Sequence, residues 1–169
     1  TGKSTIVDIL LGLIKQDSGQ ILVDGKSINI NSSKLNIGYV PQNTFLINDT
    51  IKNNVALGIP DKEIDLRKIN KAIILSGLTY DFENSGLSIE SFVGEKGLKI
   101  SGGQAQRISI ARSLYHDPDI LILDEATNSL DKSTEKLILE NLLILKKSKT
   151  ILLVTHNDSV LKYCDKVIS

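Results

Sequence analysis

The sequence predicts an α/β fold built on a parallel sheet, and two apolar runs separated by one amphipathic helix support this prediction. The runs "DILILDEA" (119–126) and "KTILLVTH" (149–156) have the continuous apolar character of strands buried on both faces. Between them, residues 131–147 have apolar side chains at helical spacing, with Asp131 as the expected N-cap. A strand, a helix and a strand at this spacing imply right-handed crossovers and a parallel sheet.

The amino-terminal part adds one helix and two short strands. Apolar residues at helical spacing follow "TGKST" (1–5), so we expect a helix that starts directly after these residues and ends near Gly19. The apolar residues are Ile6, Val7, Ile9, Leu10, Leu13 and Ile14. The segments "QILVDG" (20–25) and "NIGYVPQ" (36–42) have the pattern of short strands closed by turn-forming residues.

The middle of the chain has a different pattern. Polar, helical stretches separated by loops, such as 50–58 and 65–77, predict a helical insertion over residues 43–100. After it, residues 101–117 predict another helix. The apolar residues expected near one face of that helix are Ile108, Ile110, Ala111 and Leu114.

Composition limits the domain count and the class of partner. With 169 residues, of which 41% are hydrophobic, the chain can form one sizeable core. We therefore expect one domain, with an α/β core of residues 1–42 and 101–169 and a helical subdomain of residues 43–100. The 20 basic and 20 acidic residues cancel, which argues against a nucleic-acid partner.

Two features predict that the chain is part of something longer. It contains no Met, and it starts inside a glycine-containing motif. We therefore expect it to be the carboxyl-terminal part of a longer domain. The single cysteine, Cys164, excludes an internal disulfide and fits a reducing compartment.

Gly2, Lys3 and Ser4 have the chemistry of a phosphate site. Gly2 lets backbone N–H groups approach an anion, Lys3 supplies a positive charge and Ser4 offers a hydroxyl to Mg²⁺. All three would lie at a helix N-terminus, where negative charge is favoured. Because "GKST" is short enough to recur by chance, an ordinary turn before a helix is the alternative.

Asp124 and Glu125 follow the first buried strand, at the end where open parallel sheets bind ligands. An aspartate at this position can hold hydrated Mg²⁺, and a neighbouring glutamate can orient and deprotonate an attacking water. Two carboxylates at a strand end are often only a solvated loop. Their occurrence together with the "GKST" motif favours a nucleotide site.

The segment "ISGGQAQR" (100–107) offers a second anion-binding helix N-terminus, because it places Ser101, Gly102 and Gly103 before a helix. A glycine-rich helix cap could have the same sequence. One chain needs only one phosphate site, however. The second one therefore suggests a site that a partner subunit completes.

With these motifs, the whole chain resembles the ATP-binding domain of ABC transporters. The matching segments are "TGKST" (the end of Walker A), "YVPQ" (39–42, the Q-loop), "ISGGQ" (100–104, the signature), "ILILDE" (120–125, Walker B), "NSLD" (128–131, the D-loop) and "VTH" (154–156, the H-loop). They follow the order and ordinary spacing of the family. The resemblance implies a P-loop NTPase (RecA-like) core with the helical ABC subdomain inserted, and implies that the antiparallel strands preceding Walker A are missing.

The resemblance also implies roles for individual residues, with ATP and Mg²⁺ as the cofactors. Lys3, Ser4 and Thr5 would bind phosphate and Mg²⁺. Gln42 would sense the metal and the attacking water, and Asp124 would support the metal. Glu125 would be the general base, and His156 would contact the γ-phosphate.

A second ABC ATPase domain is the first implied partner, most simply as a homodimer. The residues that would close over ATP held by this partner are Ser101, Gly102, Gly103 and Gln104. Asp131 would bridge the two sites. A transmembrane domain, fused on the amino-terminal side, is the second implied partner and would put the chain on the cytoplasmic side of a bacterial inner membrane.

Two classes of ABC protein remain open, namely a membrane exporter and a soluble ATPase acting on DNA or ribosomes. The compact segment 43–100 lacks the sustained heptads of a coiled-coil insertion, which favours the exporter. "FVGEKG" (92–97) is similar to the loop with which exporters touch the coupling helices of their membrane part, and "NTFLINDTIKNNVALG" (43–58) is also similar to exporter sequences. We expect Phe45 and the segment 92–97 to contact the transmembrane part. For an exporter we expect a lipid, lipid-linked sugar or polysaccharide as substrate. An inactive fragment of a truncated gene is the third alternative.

Overall fold

The computed structural model describes residues 2–94 and 100–168. Its helices are α1 (Lys3–Leu10), α2 (Ile51–Val55), α3 (Leu66–Leu75), α4 (Thr79–Asn84), α5 (Gly102–Tyr115) and α6 (Lys132–Leu145). Its strands are β1 (Ile21–Val23), β2 (Lys26–Ile28), β3 (Ile37–Val40), β4 (Asp49–Thr50), β5 (Phe92–Val93), β6 (Ile120–Asp124) and β7 (Thr150–Val154). Short 3-10 helices lie at Ile30–Ser32, Asp61–Glu63 and Asp158–Tyr163.

The predicted parallel sheet is formed by β3, β6 and β7, in that order. Val40 lies opposite Leu123 in the β3–β6 pair, and Asp124 lies opposite Val154 in the β6–β7 pair. This register aligns the carboxyl ends of the three strands at one edge of the sheet. Residues that follow these strands are therefore close in space although they are far apart in sequence.

Burial on both faces was predicted for both apolar runs, and it holds for β6 alone. The middle three residues of β6 are buried, whereas residues 151–154 of β7 are partly exposed. The difference follows from position, because β6 lies between two strands and β7 is at the edge of the described sheet.

The first helix is shorter than predicted, because α1 ends at Leu10 and does not reach Gly19. Gly12 adopts φ 73°, a left-handed conformation that favours glycine. The N–H of Leu13 then reaches back to the carbonyl of Asp8 at 2.8 Å, which is the hydrogen bond of a Schellman cap. Leu13 consequently lies outside the helix and is 71% exposed.

Two small antiparallel pairs accompany the sheet. The strand predicted at 20–25 is β1, and it pairs with β2, which was not predicted. Asp24 and Gly25 join them with φ of 50° and 75°, as a type I′ turn requires. β4 and β5 pair within the middle segment and were also missed, because two-residue strands are too short to show an alternating pattern.

α5 is buried on nearly all sides, which corrects the prediction of one apolar face. Ile108, Ala111 and Tyr115 pack in a cluster with residues of α2 and α3. Ile110 instead packs in a second cluster, with residues of β3, β6 and α6. α5 therefore connects the two hydrophobic clusters. The division into a core and a subdomain over 43–100 stays a prediction, and the two clusters support it.

The described helices are short compared with the thickness of a bilayer. The longest, α5 and α6, have 14 residues each. Within residues 2–94 and 100–168, no helix is both long enough and apolar enough to cross a membrane.

Candidate active site

Polar side chains meet at the edge of the sheet where β3, β6 and β7 end. Asp124 is the last residue of β6, and Glu125 follows it. Gln42 and His156 lie two residues beyond the ends of β3 and β7. α1 begins at Lys3, next to the same edge. The structure thus brings together five residues that the sequence analysis selected from four separate motifs.

Glu125 is the centre of a hydrogen-bond network at this edge. Gln42 Nε2 and Asn128 Nδ2 each donate to Glu125 Oε2 at 2.9 Å. His156 Nε2 lies 3.2 Å from Glu125 Oε1. Because the Glu125 side chain is only 18% exposed, its carboxylate is a partly shielded acceptor with donors on both oxygens.

The backbone at Glu125 separates its side chain from that of Asp124. Glu125 has φ 49°, a left-handed conformation that is uncommon for a residue with a side chain. Its N–H still donates to the carbonyl of Val154 at 2.9 Å, which continues the pairing with β7 by one residue. The two adjacent carboxylates consequently contact different partners.

Lys3 and His156 extend the network toward α1. Lys3 Nζ donates to the carbonyl of Thr155 at 3.1 Å and lies 3.3 Å from His156 Nδ1. Because an ammonium group can only donate, this contact is a hydrogen bond when Nδ1 carries no hydrogen. In that tautomer Nε2 carries the hydrogen and donates to Glu125, so the imidazole connects the lysine with the glutamate.

Asp124 has its own partner, Tyr39, on the neighbouring strand β3. The Tyr39 hydroxyl donates to Asp124 Oδ2 at 3.3 Å. Burial raises the pKa of Tyr39, and the negative charge of Asp124 raises it further. Tyr39 therefore keeps its proton and donates a hydrogen bond to Asp124. The Asp124 carboxylate can therefore still accept further partners in the site.

These side chains line a cavity of about 270 Å³. Its lining residues are Gly2, Lys3, Ser4, Gln42, Asp124, Glu125, Val154 and His156. Thr5, the remaining residue predicted here, is exposed on α1 and does not line the cavity. A larger cavity of about 560 Å³ lies beside β7 and α6, but its mainly apolar lining shares only Lys3 and Val154 with the polar one.

The loop that carries Gln42 is held in position by α5. Gln106 Nε2 donates to the carbonyl of Pro41 at 3.2 Å, and Thr44 Oγ1 donates to Gln106 Oε1 at 2.7 Å. Arg112 Nη1 donates to the carbonyl of Phe45 at 3.0 Å. The helix that begins with the signature residues therefore also supports the residues on both sides of Gln42.

The signature residues form the N-terminus of α5, as predicted. Ser101 Oγ accepts from the N–H of Gln104 at 3.2 Å, and Gln104 Oε1 accepts from the N–H of Ser101 at 3.0 Å. This capping box satisfies two of the first four N–H groups of the helix. The other two belong to Gly102 and Gly103, and they have no acceptor within the helix.

Asp131 caps α6, also as predicted. Its carboxylate accepts from the hydroxyl and N–H of Ser133 and from the hydroxyl and N–H of Thr134. These hydrogen bonds, chiefly those from the two hydroxyls, hold the pKa of Asp131 well below its usual range. Neither Asp131 nor the signature residues line the polar cavity, so the structure does not bring them to the other candidate residues within this chain.

Comparison with known proteins gives the family. The chain matches the ABC transporter family over residues 1–128. The chain belongs to the ABC transporter family. A solved bacterial Atm1-family ABC exporter with ATP bound has the same fold, with a TM-score of 0.82 and 34% identity over 95% of this chain and 28% of that one. The fold is therefore that of the nucleotide-binding part of an ABC exporter.

Two curated relatives have the names of transport proteins. One is a Staphylococcus aureus protein provisionally named a multidrug export ATP-binding/permease protein, 41% identical over 99% of this chain. The other is an ATP-dependent lipid A-core flippase of Ralstonia nicotianae, 36% identical over 99% of this chain. This chain spans 29% of the length of each. The resemblance found in the sequence motifs is confirmed.

Three residues that contact the candidate site were given no role by the sequence analysis. They are Tyr39, Asn128 and Thr155. Tyr39 and Thr155 lie inside the Q-loop and H-loop matches, and Asn128 starts the D-loop match. A polar residue within three positions of a predicted site residue is the signal that could have identified them. This signal identifies candidate residues, but it does not predict which contacts they make.

Proposed function

We propose that this chain binds and hydrolyses ATP as the motor domain of a membrane exporter. The observation that supports this most directly is the network around Glu125, which joins Gln42 and His156 to one carboxylate at the polar cavity. A hydrolytic site needs a base, a residue that orients the water and a cation for the phosphates. Glu125, Gln42 and Lys3 have these chemical properties.

Each of these residues has a defined task in the proposal. Lys3 exchanges its contacts with Thr155 and His156 for contacts with phosphate oxygens, and the N–H groups at the start of α1 donate hydrogen bonds to the same oxygens. Glu125 accepts the proton of the attacking water, which Gln42 orients. His156 donates through Nε2, to Glu125 in this structure and to the γ-phosphate when ATP is bound. Thr5, on the first turn of α1, assists in phosphate binding.

Mg²⁺ fits the residues present at the site. Within residues 2–94 and 100–168, no group of three or more His, Cys, Asp or Glu could hold a metal by itself. Mg²⁺ commonly uses only one or two carboxylates together with substrate phosphates and water. Ser4, Gln42 and Asp124 would hold it, and it would neutralise charge on the phosphates.

The second nucleotide-binding surface is proposed to act on a partner domain. The signature residues do not line the cavity. These residues are Ser101, Gly102, Gly103 and Gln104. The N–H groups of the two glycines have no acceptor in α5. Pairing with a second ABC ATPase domain, in the simplest case a second copy, would let these groups contact nucleotide held by the partner. Asp131 would lie between the two sites.

Export requires a membrane part, which we propose to be fused on the amino-terminal side, with this chain on the cytoplasmic face of a bacterial inner membrane. Phe45 is 71% exposed, and it is a candidate contact to the membrane part. The segment 92–97 was predicted to make a similar contact, but residues 95–97 lie outside the described residues. The lipid A-core flippase relative supports a lipid-class substrate.

Replacing Glu125 by Gln in the exporter that contains this chain tests the proposal. The substitution keeps the size of the side chain and removes the charge that accepts the proton. We expect ATP hydrolysis to fall by roughly 10²–10⁴-fold, the usual effect of losing a general base. ATP binding, measured by nucleotide titration, should stay within the wild-type range.

Glu140→Gln is the matched control, because Glu140 is an exposed carboxylate on α6 that pairs only with the neighbouring Lys136 in the described salt bridges. It should leave turnover unchanged. Wild-type turnover in Glu125→Gln would show that Glu125 is not the base, and the proposed mechanism would then be wrong.

A further inference from the structure

A buried polar cluster connects α4 with the N-terminal turn of α5. Asp81 of α4 is 5% exposed and Arg107 of α5 is 7% exposed. Arg107 Nη2 lies 2.8 Å from Asp81 Oδ1 and 2.7 Å from Oδ2. Gln104 Nε2 also donates to Asp81 Oδ1, at 3.0 Å. One buried carboxylate therefore contacts two residues of the helix that carries the signature.

The cluster is not well arranged for stability alone. Burying an ion pair costs desolvation free energy that the attraction often only offsets. Arg107 Nε is buried without a hydrogen-bond partner among the described residues, and the close Asp81 Oδ2 contact is not aligned as a hydrogen bond. A role in orientation explains these residues better than a gain in stability does.

Gln104 transmits the position of Asp81 to the start of α5. Its Nε2 donates to Asp81, so its Oε1 faces the N–H of Ser101 and closes the capping box. Without the carboxylate, the amide group would be free to rotate away from Ser101. The first turn of α5 would then lose one of the two hydrogen bonds that define it.

Arg107 lies beside the same turn. Its Nη1 lies 3.8 Å from the position that a Cβ on Gly103 would occupy. The same position is 3.3 Å from the carbonyl oxygen of Ser129, in the segment before α6. The Arg107 guanidinium, held by Asp81, is thus packed next to the glycine turn and close to the D-loop segment.

We infer that Asp81 is a positioning residue for ATP hydrolysis: through Gln104 and Arg107 it sets the direction of the N–H groups of Gly102 and Gly103. The inference rests on the proposed function, in which these groups contact nucleotide held by a partner domain. Asp81 itself contacts no nucleotide. Loss of its effect should therefore impair turnover and leave binding at the Lys3 side intact.

The test compares two double variants of the full-length exporter, Asp81→Asn/Arg107→Gln and Asp81→Leu/Arg107→Gln. Both lack the buried charges, so neither leaves an unpaired ion in the interior. Asn retains an acceptor for Gln104, and Leu of similar size does not. We expect turnover in the Leu variant to be lower than in the Asn variant by about tenfold to 10²-fold, the effect of a misplaced group.

ATP affinity in the absence of turnover should be equal in the two variants. Asp65→Leu, which removes the N-cap of α3 elsewhere in the helical segment, is the control for destabilisation and should not lower turnover per folded molecule. Equal turnover in the two double variants would overturn the inference. A parallel loss of ATP affinity would also overturn it, because it would indicate a general structural role.

Hydrogen exchange supplies a second measurement if a double variant is unstable. In Asp81→Leu/Arg107→Gln, the N–H of Ser101 should exchange faster than in Asp81→Asn/Arg107→Gln, while the N–H groups of Ser133 and Thr134 at the cap of α6 should not differ. Unchanged exchange at Ser101 would overturn the inference. Failure of the proposed function is distinguishable, because it would appear as normal turnover in Glu125→Gln.

Discussion

At Glu125, one residue combines an uncommon backbone conformation with most of the contacts of the candidate site. A φ of 49° costs a residue with a Cβ about 1–2 kcal/mol relative to the right-handed region. Contacts to Gln42, Asn128 and His156 hold it there. Strain of this kind is concentrated at functional sites, where the surrounding structure maintains it.

Asp131 gives a residue-scale prediction about pH. Asp131→Ala should lower the free energy of unfolding by about 1 kcal/mol at neutral pH, because it removes the N-cap of α6. The pKa of Asp131 is lowered in the folded state, chiefly by the Ser133 and Thr134 hydroxyls. The contribution is therefore complete above the usual aspartate pKa of about 4 and is lost as the pH falls below it toward the folded-state value.

Urea unfolding of wild type and Asp131→Ala at several pH values checks this expectation. The difference in unfolding free energy should shrink from pH 5 toward pH 2. Asp17→Ala, at an exposed carboxylate in the loop after α1, should show no such difference. A constant difference across this pH range would contradict the cap as its origin.

At the scale of elements, β3 is closely covered by the segment that follows α5. A Cβ added to Gly38 would lie 2.9 Å from Pro118 Cγ and 3.2 Å from Leu121 Cδ1. The proline ring cannot rotate out of the way as a flexible side chain could. The glycine therefore permits β3 to pair with β6 beneath this segment.

Gly38→Ala should destabilise the protein by about 1–3 kcal/mol, the usual cost of overpacking. Chemical unfolding measures the change. Gly102→Ala is the matched control, since its added Cβ would meet nothing within 4 Å. If the two substitutions changed stability equally, close packing at Gly38 would not be the reason.

At the scale of the whole molecule, the two helix N-termini that could bind phosphate, those of α1 and α5, do not line the same cavity. α1 begins at the polar cavity, whereas the start of α5 does not line it. An arrangement of two chains, each contributing one N-terminus to each site, would use both. We therefore expect each ATP site to combine Lys3 of one subunit with Ser101 of the other.

A dimeric exporter with Lys3→Ala in one subunit and Ser101→Arg in the other tests this arrangement. In shared sites both defects fall in the same site, and the second site stays intact. Both substitutions in one subunit should instead damage both sites. Trapping of labelled nucleotide should therefore be higher in the split pair, and more trapping in the same-subunit double variant would contradict shared sites.

The parts of this fold that follow from local sequence were predicted well. The buried strand β6, the caps Ser101 and Asp131 and the strand before Gln42 each depend on residues within a few positions of one another. The family resemblance also followed from short motifs. The end of α1 was missed although its signal, Gly12, is local.

Tertiary structure decided which of these residues meet. The contacts of Glu125 with Gln42 and His156 and the burial of Asp81 against Arg107 join elements that are far apart in sequence. The partial exposure of β7 was also decided by tertiary structure, because it depends on the strand order. Periodicity along the chain specifies the face of an element, but the neighbours of that face depend on sheet register and helix packing, which local sequence does not encode.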